Sequence, residues 1–167
     1  MKKICILLLL AVTFASCKST SSATVVSKKE PKKESKKENR SLVRNLIEKA
    51  TANIGAPYKA GGTTKNGFDC SGLVFTTFAS ENIKLPRPSY EQAKVGKIIQ
   101  FNDAEKGDLI FFKTNKSKQI NHVGLITEVN SNEIKFVHSS TSKGVIISST
   151  KEPYYQSSFV QINRIID

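Results

Sequence analysis

Cysteine is nearly absent from this chain, with three among 167 residues at positions 5, 17 and 70. Two of the three fall in the first seventeen residues, so no disulfide framework staples the rest. Histidine is scarcer still: His122 and His138 are the only two. One cysteine and two histidines could supply three zinc ligands, but the short paired spacings typical of zinc sites are missing. No metal and no other cofactor is therefore expected. No apolar run reaches the roughly 20 residues that a membrane-spanning helix needs. A basic stripe interleaved with aromatics is lacking too, which argues against nucleic acid as a partner. There is no internal repeat.

What is present divides the chain into three parts. Residues 1–17, "MKKICILLLLAVTFASC", read as an export signal: Lys2 and Lys3, an apolar core, then Ala15-Ser16 before Cys17. The small pair followed by cysteine resembles a bacterial lipobox, which implies cleavage before Cys17 and lipid attachment to its sulfur. The plainer alternative is a secretory signal with an incidental cysteine. Residues 18–40 hold repeated Lys-Lys-Glu units, no aromatic residue and almost no apolar one. Such a stretch predicts a disordered, self-repelling tether. Of the formal charge of +12, two positive charges sit in the signal and a net of five in the tether, which leaves +5 on residues 41–167. The tether's charge is read as solvation, with attraction to anionic lipid or wall polymers as the sharper alternative.

Residues 41–167 are enough for one domain with a single core. Leu42, Val43, Leu46, Ile47, Ala50 and Ile54 recur at helical spacing, with Ser41 as a cap and Gly55 as a stop. A Gly- and Pro-containing loop follows. A second helix is predicted from Cys70 to about Asn82, and a short helical turn over 89–94. Five strands are predicted at 107–113, 122–129, 133–140, 144–150 and 159–166, separated by polar turns. Helices first and a meander of strands after them predict an α+β fold with an antiparallel sheet.

Cys70 is the one thiol expected in the mature chain, and an unpaired exported thiol is an oxidation liability that a catalytic role would justify. A buried structural cysteine is the alternative. A thiol attacks a carbonyl as thiolate, so its pKa should fall below its ordinary value of about 8.5. The start of a helix supplies partial positive charge for that, and a neighbouring imidazole takes the proton. His122 opens one predicted strand and His138 lies in the next. A turn near Ser131 would bring both to the outer ends of a hairpin, one facing Cys70 and the other orienting the first.

"DCSGLV", "GDLIFF", "NHVGLI" and "FVHSS", with "GAPYKAGG" before them and "LPRPSYEQ" between, resemble the NlpC-type cell-wall cysteine peptidases, a branch of the papain-like fold. The resemblance covers nearly all of residues 41–167 and points to the small lipoprotein endopeptidases. It implies hydrolysis of peptidoglycan stem peptides or cross-links, with Cys70 as nucleophile, His122 as general base and His138 as the orienting group. It implies substrate-binding roles for Tyr58, Asp69, Ser71 and Arg87, with Asp69 and Ser71 fixing a stem-peptide amine. Asp69 reads equally as a helix cap. The expected protein is monomeric and exported, anchored to a membrane of the bacterial cell envelope through Cys17. The alternatives are a catalytically silent wall-binding scaffold and a CHAP-like amidase.

Overall fold

The computed structural model describes residues 31–167, with side chains from Ser35 onward. The export signal, Cys17 and residues 18–30 of the tether lie outside the described residues. No helix among the described residues is long and apolar enough to cross a membrane.

The first helix, α1 (Pro31–Thr51), starts ten residues before the expected cap at Ser41. Residues 31–40, expected to be disordered, are therefore helical. The physical reason lies in propensity: Lys, Glu and Arg favour helix without any apolar stripe, and proline is well suited to the first helical turn. Only the later turns pack, with Leu46 and Ala50 buried against the body of the domain. Asn39 also donates to the Asp167 carbonyl. After Thr51 the chain turns, and Gly55 adopts φ +90° while its amide bonds the Val145 carbonyl.

The following loop contains an unexpected hairpin, β1 (Thr63–Thr64) with β2 (Gly67–Phe68). Then come α2 (Cys70–Ala79) and the one-turn α3 (Ser89–Gln92). The strands are β3 (Lys97–Ile99), β4 (Leu109–Phe112), β5 (His122–Asn130), β6 (Glu133–Ser140), β7 (Gly144–Ser149) and β8 (Phe159–Arg164). A short helix, α4 (Pro153–Ser158), links the last two. They form one antiparallel six-stranded sheet in the order β3-β8-β4-β5-β6-β7. The expected meander holds from β4 to β7, but β8 returns to the far side of β4. β3, α4 and the β1–β2 hairpin are too short to carry a periodic signal.

Strand alternation divides the core into two layers. Leu109, Phe111, Val123, Leu125, Val137 and Val145 face α1 and α2, where they meet Leu46, Leu73, Val74 and Phe78. Ile110, Phe112, Ile126, Ile134, Phe136 and Ile162 face the other way, with Tyr155 from α4. Each such side chain, fully buried, contributes about 1.5–3 kcal/mol. The fold is the expected α+β arrangement, papain-like, with the N-terminal helices on one face of the sheet.

Candidate active site

Cys70 is the first residue of α2, and Asp69 is its N-cap. The Asp69 carboxylate accepts from the Gly72 amide at 2.6 Å. A short polar side chain before an apolar run starts a helix because it satisfies an otherwise orphaned amide. Gly72 permits the next contact: a Cβ there would meet the Gly62 carbonyl oxygen at 2.0 Å, so only glycine lets the 61–62 loop close over the helix start.

The sulfur lies against β5 on both sides of His122. Its S–H is given to the Asn121 carbonyl at 3.7 Å, and the Val123 amide points back at it. The thiol is therefore held at the two peptide units that flank His122, not bonded to the imidazole itself. Cys70 is 9% exposed and His122 8%, which leaves both just within reach of the surface.

The two histidines meet as expected: His122 Nε2 lies 2.9 Å from His138 Nδ1, with the rings at 80°. The pairing that achieves this was not legible in the sequence. Ile126 faces Phe136, but Glu128 faces Lys135, so Thr127 is an extra residue in β5. Such a bulge shifts the register by one and reverses which side chains share a face. On the His122 side of the bulge, Leu125 faces Val137. That register carries position 138 opposite 124, so His122 and His138 become diagonal neighbours on one face, a reach that ring side chains span. Beyond His138, its Nε2 is 3.3 Å from the Tyr155 hydroxyl. Nothing in the sequence reading singled out Tyr155. "EPYYQSS" has proline at a helix start, and a six-residue helix leaves no periodic trace.

Burial sets the protonation of this group. It pushes the Cys70 thiol up to about 11, with the Asp69 charge adding to it, while the amides of Val123, Ser71 and Cys70 itself pull the other way. Burial lowers His122 to about 4, and burial together with His122 lowers His138 to about 3. The expectation of a depressed thiol pKa is thus reversed: desolvation outweighs the start of the helix. At neutral pH the thiol and both imidazoles are therefore uncharged.

Acid sensitivity follows. An unfolded histidine takes up a proton near 6.5, whereas the folded His122 and His138 resist until about 4 and about 3. Their folded values lie below the unfolded one, so stability is full above about pH 6.5 and falls as pH drops through that window. The slope is up to about 1.4 kcal/mol per imidazole per pH unit. Denaturant unfolding at pH 7 and pH 5 measures it, and equal midpoints would mean that the imidazoles charge without penalty.

The predicted substrate-binding residues sit together but are largely occupied by one another. Asp69 accepts from Arg87 Nη1 at 2.9 Å, from Arg87 Nη2 at 2.7 Å and from the Gly61 amide at 2.8 Å. Burial would raise the Asp69 carboxyl, but Arg87 and the Gly72 and Gly61 amides outweigh it and hold it below its ordinary value. Arg87 also donates to Ser71 Oγ at 2.8 Å, and Ser71 Oγ donates on to Asp69 at 3.3 Å. Tyr58 is half-buried beside this clamp. Burial raises its pKa, and the nearby Cys70 and Asp69 charges add to that. The four residues thus build the wall next to the thiol. A concavity of about 900 Å³ lies elsewhere, between α1 and the sheet at Arg40, Val43, Ile47, Gly107, Arg164 and Ile166, and none of the candidate residues lines it. Among the described residues no group of three or more His, Cys, Asp or Glu side chains could hold a metal ion.

Comparison with known proteins bears on this arrangement. The chain is 45% identical over 112 residues to a probable endopeptidase of Haemophilus influenzae, covering 66% of this chain and 67% of that one. It is 34% identical over 164 residues to the probable endopeptidase NlpC of Escherichia coli, covering 98% of this chain and 99% of that one. It is 41% identical over 113 residues to the murein DD-endopeptidase MepS/murein LD-carboxypeptidase of Escherichia coli, covering 67% of this chain and 57% of that one. A crystal structure of an NlpC/P60 family protein from Bacillus cereus superposes with a TM-score of 0.66 at 30% identity, covering 75% of this chain and 40% of that one. The NlpC/P60 family model matches residues 55–164, a span that runs from the Gly55 turn through Cys70, both histidines and Tyr155 to the end of β8, and the chain belongs to that family.

Proposed function

We propose that this protein is a peptidoglycan hydrolase, a cysteine-type endopeptidase that cuts an amide in the stem peptides or cross-links of the bacterial wall, with Cys70, His122 and His138 as its triad. The observation that carries the reading is the thiol at the first residue of α2, held at the peptide units on either side of His122, whose ring is bonded to His138. The relatives named endopeptidase and murein endopeptidase support it.

The neutral resting pair sets the order of events. The substrate carbonyl docks over the start of α2, and the S–H leaves the Asn121 carbonyl for His122 Nδ1 as the S–C bond forms. His122 becomes an imidazolium stabilised by His138. The Cys70 amide, at the start of the helix, donates to the developing oxyanion, a contact typically worth about 3 kcal/mol. Collapse of the tetrahedral adduct breaks the C–N bond, and His122 returns its proton to the leaving amine. Water, with His122 again as base, hydrolyses the thioester and regenerates the thiol. No cofactor enters. Tyr58, Asp69, Ser71 and Arg87 form the substrate-side wall.

Anchoring extends the reading to place. Lipid on Cys17 and a tether over residues 18–30 would hold the domain near a membrane of the envelope, within reach of the wall. The test incubates the purified protein and a Cys70→Ala variant with peptidoglycan and identifies released fragments by mass. Fragments from the wild type alone, with one bond cut, are the expected result and name that bond. Equal release by both proteins would remove Cys70 from the chemistry. No release by either from several wall types would favour a binding role.

A further inference from the structure

The buried hydrogen-bond chain does not end at His138. His138 is 0% exposed, so neither ring nitrogen reaches water. Its Nδ1 meets His122 and its Nε2 meets the Tyr155 hydroxyl. That hydroxyl also shares a hydrogen bond with the Ser148 side chain on β7. The Tyr155 ring is wedged against Phe112 and Phe136, with ring centroids at 5.2 and 5.1 Å, so the hydroxyl is held in place.

A neutral imidazole has one N–H and one acceptor nitrogen. Two proton arrangements satisfy the row. In the first, Tyr155 gives its O–H to Ser148, His138 carries its proton on Nε2 and donates to Tyr155, and His122 carries its proton on Nε2 and donates to His138. His122 Nδ1 is then a free acceptor, able to take the thiol proton. In the second, every bond is reversed: Tyr155 donates to His138 Nε2, His138 Nδ1–H donates to His122, and the His122 proton sits on Nδ1. That histidine cannot act as base. The Ser148 hydroxyl can accept the Tyr155 proton on the side away from His138, which permits the first arrangement, and a His122 that acts as base requires it.

We propose that Tyr155, oriented by Ser148, is a positioning residue that fixes the tautomer of His138 and through it that of His122. The inference rests on the assignment of Cys70 and His122 as nucleophile and base. It differs from the role of His138, which holds the His122 ring, because Tyr155 touches neither substrate nor thiol and acts only on where two protons sit.

The chain's two histidines make the test direct, since ring-nitrogen NMR of the full protein contains only two imidazoles. In the wild type both rings are expected with Nε2–H and an unprotonated Nδ1. In Tyr155→Phe an Nδ1–H population is expected to appear, with kcat down on the order of 10- to 100-fold and KM unchanged. That is less than the roughly 10⁴-fold loss seen when a triad's orienting carboxylate is lost, because His138 remains. Ser148→Ala leaves every ring in place and is expected to give the same change in smaller measure, so it carries the test if Tyr155→Phe does not fold. A wild type with Nδ1–H on either ring would overturn the proposal outright. So would variants that keep both rings as Nε2–H, at any level of activity, since a loss without a tautomer change is loosened packing. Retained hydrolysis in Cys70→Ala would instead sink the nucleophile assignment, a failure that the ring spectra do not register.

Discussion

A His122→Gln variant is expected to lose hydrolysis by about 10³- to 10⁴-fold, at the upper end of what one general base supplies, while keeping its melting temperature within a few degrees. The size of the loss comes from burial. The thiol is held up at about 11, so at neutral pH it makes almost no thiolate unaided. With an imidazole at position 122, next to the Asn121 carbonyl that holds the S–H, the proton has somewhere to go as the S–C bond forms. With an amide there it has not, since glutamine accepts a hydrogen bond but not a proton. Glutamine can still bond His138, so the fold should persist. Turnover and iodoacetamide alkylation measured against pH separate the contributions: the variant's alkylation should rise only towards pH 11, where the thiol ionises by itself. Turnover within threefold of the wild type would show that another group accepts the proton.

The same balance between burial and local geometry decides what could be read from the sequence. Cys70 at a helix start was legible because Asp69 before an apolar run is a strong local signal, and the cap forms as the residue types dictate. β6 was predicted over residues 133–140 and occupies them, because polar turns bound a run rich in β-branched and aromatic residues. The meeting of His122 and His138 was expected from hairpin geometry, but its cause was hidden. A simple hairpin with the register found next to the turn, where Val129 faces Ile134, would have set the two rings on opposite faces of the sheet. Only the extra residue at Thr127 brings them together, and a bulge of one residue has no composition. The raised thiol pKa is hidden for a related reason: sequence shows where a helix begins, but not how dry its first residue is. The ten extra residues of α1 carry no apolar stripe to mark them, and their helix rests on the propensity of Lys and Glu alone.

Asp69→Ala is expected to cost about 2–4 kcal/mol of stability, the largest loss among single substitutions around the thiol. The carboxylate caps α2, receives the Gly61 amide and pairs with Arg87. Loss of an N-cap costs about 1 kcal/mol, and each buried donor left without a partner costs about 1–3 kcal/mol. The Arg87 contribution falls at the low end, since its side chain is 33% exposed and water takes over part of the bond. Asp69→Asn keeps an acceptor for the cap but not the charge, so about half of that loss is expected. The pair of variants also decides what the carboxylate is for. The sequence resemblance assigns it to a stem-peptide amine, yet Arg87 already answers its charge at 2.7 Å. If the clamp is its work, Asp69→Asn lowers stability and kcat equally for stem peptides with free and acetylated amino termini, because what moves is the 57–62 loop and the start of α2. If it receives the amine, Asp69→Asn raises KM for the free-amine peptide alone and leaves the denaturation midpoint in place. The Arg87 contacts make the first outcome the expected one, and under it Arg87→Leu should reproduce the Asp69→Asn profile, because each variant removes one half of the same pair.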